Sequence, residues 1–429
     1  MTYREQLKAL SNELLALQKP ILVLDAIKWP YQHKVDFLAH HGTRLPDVSA
    51  QYYQSLKLNF DAAATQAALR NLQQRIRNAL GAHDPLGEIL QQTAEQYQLV
   101  VDMLQQRGKP GFMAKSQQLY GSARDHLRGD RKTLVELSER LTHIFSLPAA
   151  QHLNTAYPKS IDAPQAVNQL RSRLQPYFPD GAIKVALSDG IVSDASAGGD
   201  TLKVNSQAHF STLDIQVLEV HEGWVHLGTT LNGRSQPWAT WLSVGSPRIT
   251  AIQEGLAVLI ETLTFSSYPN RARRISDRVV AIDMAERGAD FIEVFRYFTE
   301  KGLSESDAYT VAQRTFRGGD VRGGACFTKD LSYVRGFIET VNFIKSAILS
   351  DVPQILPFLF AGKVTLDDIP VLYQYHKEGI IEAPTFLPPM FRDLNGLYVW
   401  FGFASGLSLV DINSVQQHFQ EMFAELSPT

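Results

Sequence analysis

The segment Val220-His221-Glu222-Gly223-Trp224-Val225-His226-Leu227 sets two imidazoles around a carboxylate, in a chain whose twelve histidines are otherwise scattered. Neutral imidazoles are good zinc ligands, and a carboxylate beside them can take a proton from water that such a metal activates. Hydrolysis is the chemistry this suggests. The spacing is H-E-x-x-x-H, one residue longer than the familiar H-E-x-x-H of zinc peptidases. On a helix turning about 100° per residue, histidines four apart differ by about 40° and share a face, but five apart they diverge by about 140°. A π-type turn, with i to i+5 hydrogen bonds, absorbs the extra residue. Gly223, inside the interval, is expected to ease that distortion.

A zinc site needs a third protein ligand. Glu254, in Gln253-Glu254-Gly255-Leu256-Ala257, is the candidate, on a helix that starts at Ser246-Pro247 and buries Ile249, Ile252, Leu256 and Leu259. Glu261 lies two turns further along the same face, so one carboxylate can bind the metal while the other anchors a ligand from behind. Glu254 is preferred because Gly255 permits close helix approach. The histidine segment should also be helical, since Leu213, Val217, Val220 and Trp224 form an apolar stripe and Ser211 with Asp214 resembles a capping box.

Around these elements the chain reads as a mostly helical α+β protein. Residues 1–155 form a helical N-terminal region, exemplified by the stripe Leu69, Leu72, Ile76 and Leu80, and residues 156–429 a catalytic domain. Near 183–205 the period changes to alternation, with glycine turns at Asp189-Gly190 and Gly198-Gly199-Asp200, which predicts a small antiparallel sheet. No phosphate-binding loop, dinucleotide fingerprint or serine nucleophile elbow occurs. The 429 residues carry 41 Lys plus Arg against 44 Asp plus Glu, a balance that speaks against nucleic-acid or membrane partners. One cysteine, Cys326, excludes an intramolecular disulfide and fits a reducing, cytoplasmic setting. As a nucleophile it lacks a Cys-His-Asn pattern and reads as a buried thiol. The amphipathic N-terminus has no signal-peptide core, and no stretch is long and apolar enough to span a membrane.

His221-Glu222-Gly-Trp-Val-His226, the literal Gln253-Glu254-Gly255-Leu256-Ala257, Phe327-Thr328-Lys329-Asp330-Leu-Ser-Tyr333 followed by Gly336, and Ser116-Gln-Gln-Leu119-Tyr120-Gly121 together resemble the QEGLA-motif family. In bacteria that family is described as flavohemoglobin expression-modulating, and it shares its catalytic domain with eukaryotic tubulin-detyrosinating tyrosine carboxypeptidases. The resemblance spans roughly residues 20–420. It implies a gluzincin-like metallopeptidase holding one Zn2+ through His221, His226 and Glu254, with Glu222 as general base. It further implies removal of a C-terminal aromatic residue, Tyr or Phe, from a peptide or protein substrate.

Such a carboxypeptidase must bind a free carboxylate, best through charge-assisted hydrogen bonds from Lys or Arg. Lys203, Arg317, Arg322, Lys329 and Arg335 are the candidates. Tyr333 can stabilise the oxyanion of the tetrahedral intermediate. Gly318, Gly319, Gly323 and Gly324, beside basic residues, are expected at the rim of the active site. The strand Thr201–Asn205 offers an edge that can pair with substrate backbone or be an ordinary edge strand. Trp238 and Trp241 either line the cleft or pack in the core. Two other readings remain: a regulatory protein with a structural metal site, and an aminopeptidase or endopeptidase of the same zinc chemistry.

Overall fold

The structure is a computed structural model that describes residues 1–189, 191 and 193–424. It is mostly helical α+β. The chain starts with α1 (Tyr3–Gln18), closed at its N-terminus by a capping box between Thr2 and Glu5. α2 (Ala62–Leu80) then packs along α3 (Pro85–Gln105), burying the sequence-read stripe at Leu69, Leu72 and Ile76.

The small sheet region follows: β1 (Ile161–Asp162), α4 (Ala163–Leu174), β2 (Lys184–Ser188), β3 (Ala195–Gly198), β4 (Thr201–Asn205) and β5 (His209–Phe210). β1 and β5 pair antiparallel, while the three-stranded sheet has the order β2-β4-β3 and is mixed. This corrects the expected all-antiparallel sheet. β3 and β4 form a hairpin whose two-residue turn, Gly199-Asp200, uses Gly199 at φ 63°. That hairpin occupies one side of β4, so β2 enters on the other side and runs parallel to it. The other expected turn, at Asp189-Gly190, extends outside the described residues at Gly190.

After β5 the Ser211–Asp214 capping box opens α5 (Thr212–Leu218), as the sequence suggested. A nine-residue π-helix, Glu219–Leu227, continues it, and α6 (Gly228–Arg234) ends the rod. The metal-candidate helix is α7 (Thr250–Leu263), entered through a 3-10 turn at Pro247–Ile249. Beyond it run α8 (Pro269–Glu286), α9 (Glu305–Phe316) and α10 (Ser332–Leu349), then α11 (Asn395–Leu407) and α12 (Ile412–Ala424).

Two hydrophobic cores lie on either side of the π-helix. The larger joins residues from Leu7 to Phe401 and includes Val220 and Val225; the smaller holds the sheet region and includes Leu218 and Leu227. Each fully buried large apolar side chain contributes about 1.5–3 kcal/mol, so the irregular helix is clamped by packing on two faces. No helix among the described residues is long and apolar enough to cross a membrane.

Candidate active site

The π-helix does what the five-residue interval demands. With i to i+5 bonding through Glu219–Leu227, His221 and His226 come onto one face, their ring centroids 4.9 Å apart. Gly223 has a different part from the one expected. Its backbone is not in the left-handed region; instead a Cβ there would sit 2.3 Å from Leu174 Cδ2, so glycine lets α4 lie against the π-helix.

Opposite the two rings stands Glu254 of α7. Its Oε2 is 3.5 Å from His221 Nε2 and 3.7 Å from His226 Nε2. Ligand atoms of a tetrahedral zinc with bonds of about 2.0–2.2 Å lie roughly 3.3–3.6 Å apart, and Glu254 Oε2 stands close to that distance from each imidazole nitrogen. Glu222 is also close: one of its carboxylate oxygens lies within 4.8 Å of both imidazoles. Its Oε2 is held from the other side by the backbone N–H of Ala197, at 2.7 Å, on strand β3. One carboxylate therefore faces both imidazole nitrogens, while the other is pinned to the sheet edge.

Behind this set, Glu261 is fully buried and accepts from His221 Nδ1 at 2.6 Å, fixing the ring so that Nε2 points at Glu254. Arg271 closes on Glu261 with bonds of 2.6 and 2.7 Å. Burial works against a charged His221, but its bonds to Glu254 and Glu261 outweigh this and push the imidazole up to about 9. Burial would likewise raise the Glu254 carboxyl; Lys329 and the two imidazoles override it and hold the group well below the usual range. The cluster's electrostatics favour a positive charge between the carboxylates.

His226 is positioned by a different hub. Gln253 Oε1 lies 3.4 Å from His226 Nδ1 and accepts from Thr229 Oγ1 at 2.9 Å and from Lys363 Nζ at 2.8 Å. Lys363 also donates to the His226 carbonyl at 3.0 Å, and burial pushes its ammonium down to about 7. Neither Gln253 nor Lys363 had a role in the sequence reading, and Lys363 sits in no motif that could have flagged it.

The close approach of α7 and α10 was legible in Gly255. A Cβ at Gly255 would lie 1.9 Å from the Gly336 carbonyl carbon, and one at Gly336 only 1.6 Å from Ala251 O. Through this crossing α10 brings Tyr333, and the turn before it Lys329, to α7.

Of the five basic candidates, Lys329 reaches the site, donating to Glu254 Oε1 at 3.2 Å. Arg317 is buried, lies over the Phe327 ring and leaves Nε without a partner; burial pushes it down to about 10. Its charged and polar neighbours are Arg314, Asp330, Tyr333 and Arg278. Arg322 is an exposed partner of Asp320, and Arg335 pairs with Asp125 at 2.7 Å, so neither serves the site. Lys203 is exposed at the middle of β4, on the face opposite Leu202 and Val204. β4 is the central strand, which corrects its reading as an edge; the edges are β2 and β3, and a β3 N–H meets Glu222.

Tyr333 is partly buried and flanked by Lys329 at 6.0 Å and by Arg278 at 4.7 Å from its ring centroid. Burial and the nearby Glu254 raise its hydroxyl above the ordinary value. Arg278 is a residue the sequence reading missed. Arg314 takes both Asp330 oxygens at 2.6 and 2.9 Å, leaving Arg278 a single 3.8 Å approach to the same carboxylate. No spacing in the sequence could have found it, because its place is set by the shared Asp330.

The glycine loop is not a rim of the site. Gly318 donates to Tyr53 Oη at 2.7 Å and packs on Phe112, Gly319 lies against Ala325, and Gly323 against Gly288. At Gly318 that closeness joins the loop to the N-terminal region, while Gly319 and Gly323 close it on itself and on Gly288. Trp241 is buried in the larger core, and Trp238 carries Arg4 and Lys8 over its ring. Cys326 is fully buried, and burial raises its thiol far from reactivity. Beside Glu254 opens a pocket of about 270 Å³, lined by Ile21, Val23, Tyr97, Tyr120, Lys329 and Lys363 among others.

Two imidazoles and two carboxylates under a sheet edge, with a small cation-rimmed pocket alongside, form a site of hydrolytic type. The sequence model of the microtubule-associated tyrosine carboxypeptidase family matches residues 35–408, most of the chain, and the chain belongs to that family. It is thus a member of a carboxypeptidase family, a class of hydrolases. No curated protein matches the chain.

Proposed function

We propose that this chain is a zinc-dependent carboxypeptidase that removes a C-terminal aromatic residue, tyrosine or phenylalanine, from peptides or proteins. The observation that carries the proposal is the approach of Glu254 Oε2 to both His221 Nε2 and His226 Nε2, near the separation of ligands on one tetrahedral ion, with Glu222 beside the two imidazoles. A bound zinc would supply Lewis acidity at the scissile carbonyl. Glu222, steadied by Ala197 N–H, takes a proton from the attacking water and later delivers it to the leaving amine. Tyr333 donates to the developing oxyanion. Substrate backbone pairs along the β3 edge.

Recognition of a free C-terminus falls to cations close to Tyr333. Lys329 and Arg278 flank that ring, and Arg278 only shares Asp330, at 3.8 Å, with Arg314. The pocket beside Glu254, apolar at Ile21 and Val23 with two tyrosines and a lysine rim, suits one aromatic side chain next to a carboxylate.

The test is cleavage of a peptide ending in free tyrosine, set against the same peptide amidated at its C-terminus and acetylated at its N-terminus. The expected result is release of tyrosine from the free and the acetylated peptide, loss of release on amidation, and none with Glu222→Gln. Cleavage that persists on amidation and stops on acetylation would establish an aminopeptidase. No cleavage of any peptide by the zinc-loaded protein would return the chain to the regulatory reading.

A further inference from the structure

The C-terminal helices carry a surface that the catalytic reading does not use. α11 is anchored to the body by Leu397 and Phe401, which are buried against its neighbours. Its other face exposes Trp400, Phe403 and Leu407 at spacings of three and four, with exposures of 60, 76 and 60%. In α12 no described side chain is buried, yet Ile412, Val415, Phe419 and Met422 repeat at three, four and three residues. That is the period of a helix seam meant to meet another helix.

α12 is built to be a helix. Asp411 caps it, accepting from Ser414 N–H at 3.3 Å and from Ser414 Oγ at 2.6 Å. A 13-residue helix is marginal alone in water and draws its stability from packing an amphipathic face, so α12 needs a surface to lie on. Within one chain that surface is missing among the described residues, because both seams remain exposed.

Charge decides what the partner is. From 393 to 424 there is no Lys or Arg, and the acids are Asp393, Asp411 and Glu421. An interfacial membrane helix carries Lys and Arg on its polar face to meet anionic lipid, and nucleic acid demands the same. A steered foreign protein would likewise need a charged rim. What fits is a surface as apolar and as nearly uncharged as this one, and every copy of the chain carries it. Twelve large apolar side chains between Tyr398 and Phe423 are 40–89% exposed. At roughly 100 Å² each they offer about 1,200 Å², against the roughly 800 Å² per partner of a specific interface.

We propose that α11 and α12 are a dimerisation element, pairing with the same two helices of a second copy in a two-fold four-helix arrangement. The family match ends at residue 408, so α12 adds to the catalytic body rather than forming part of it.

Sedimentation velocity of the full chain, from about 1 to about 100 µM, tests this, with Phe403→Glu and Phe419→Glu made singly and together. The wild type should sediment at twice the 47.9 kDa chain mass. The double variant should weaken association at least about 100-fold while thermal stability of the body and metal content stay unchanged. A wild type that is monomeric throughout, a polydisperse series, or a double variant that keeps the doubled mass would each overturn the proposal. Flotation with phosphatidylcholine–phosphatidylglycerol vesicles adds an arm, in which a wild type found monomeric and lipid-bound would assign the surface to a membrane instead.

Discussion

Replacing Gly336 by alanine should cost the protein the proposed metal site without touching a proposed ligand. The added methyl would stand 1.6 Å from Ala251 O and 3.1 Å from Gly255 Cα, both backbone, so no side chain can rotate to relieve it. Restoring an ordinary separation near 3.4 Å requires α7 and α10 to part by roughly 1.8 Å, an overpacking that costs about 1–3 kcal/mol or more. Glu254 neighbours Gly255 and Glu261 follows on the same helix, so both carboxylates would retreat from the imidazoles. Sites of this kind tolerate displacements of only about 0.5 Å. The expected result is a fall in zinc affinity of at least about 10–100-fold by chelator competition, a matching loss of peptidase activity and a lower melting temperature. Gly402→Ala, where nothing lies within 4 Å, is the control and should be neutral or slightly stabilising. Gly336→Ala with wild-type melting and wild-type zinc affinity would refute the argument that this crossing sets the position of Glu254.

Other outcomes follow from the groups behind the ligands. Glu261→Gln removes the carboxylate charge that Arg271 and His221 share, so the metal-free protein should lose about 3–5 kcal/mol at pH 7. Against desolvation, Arg271 and His221 hold the Glu261 carboxyl down to about 2, below its ordinary 4.5. The stabilisation is therefore full above pH 4.5 and lost as pH falls towards 2, and the gap between variant and wild type should narrow in that window in denaturant titrations. Cys326→Ser should retain full activity, and the native thiol should resist a disulfide reagent until the protein unfolds; rapid native labelling would contradict its burial. Arg278→Gln should raise KM for peptides with a free C-terminus more than it lowers kcat, and an unchanged KM would remove it from carboxylate binding.

The geometry that brings His221, His226 and Glu254 together was largely legible because it rests on local pattern. H-E-x-x-x-H cannot bind one ion on a regular helix, and the π-helix is what that constraint requires. Gly255 announced a helix crossing, though its partner Gly336 was visible only as part of a motif. What failed to show were contacts that close over long sequence distances. Lys363 reaches His226 from 137 residues away, and Arg278 is placed by a competition for Asp330 that no spacing displays. The sheet was misread for a similar reason, since alternation shows that β2 and β4 are strands but not which side of β4 the β3 hairpin fills. The glycine loop misled because backbone closeness looks the same in sequence whether the neighbour is a ligand or Phe112.

Metal content of the purified chain by inductively coupled plasma mass spectrometry, with His221→Ala, Glu254→Ala and Glu222→Gln beside it, bears most directly on the central claim. About one zinc per chain is expected in the wild type and in Glu222→Gln, with loss in the two ligand variants. A wild type that binds no zinc after loading, or a Glu254→Ala protein that keeps it, would contradict the account.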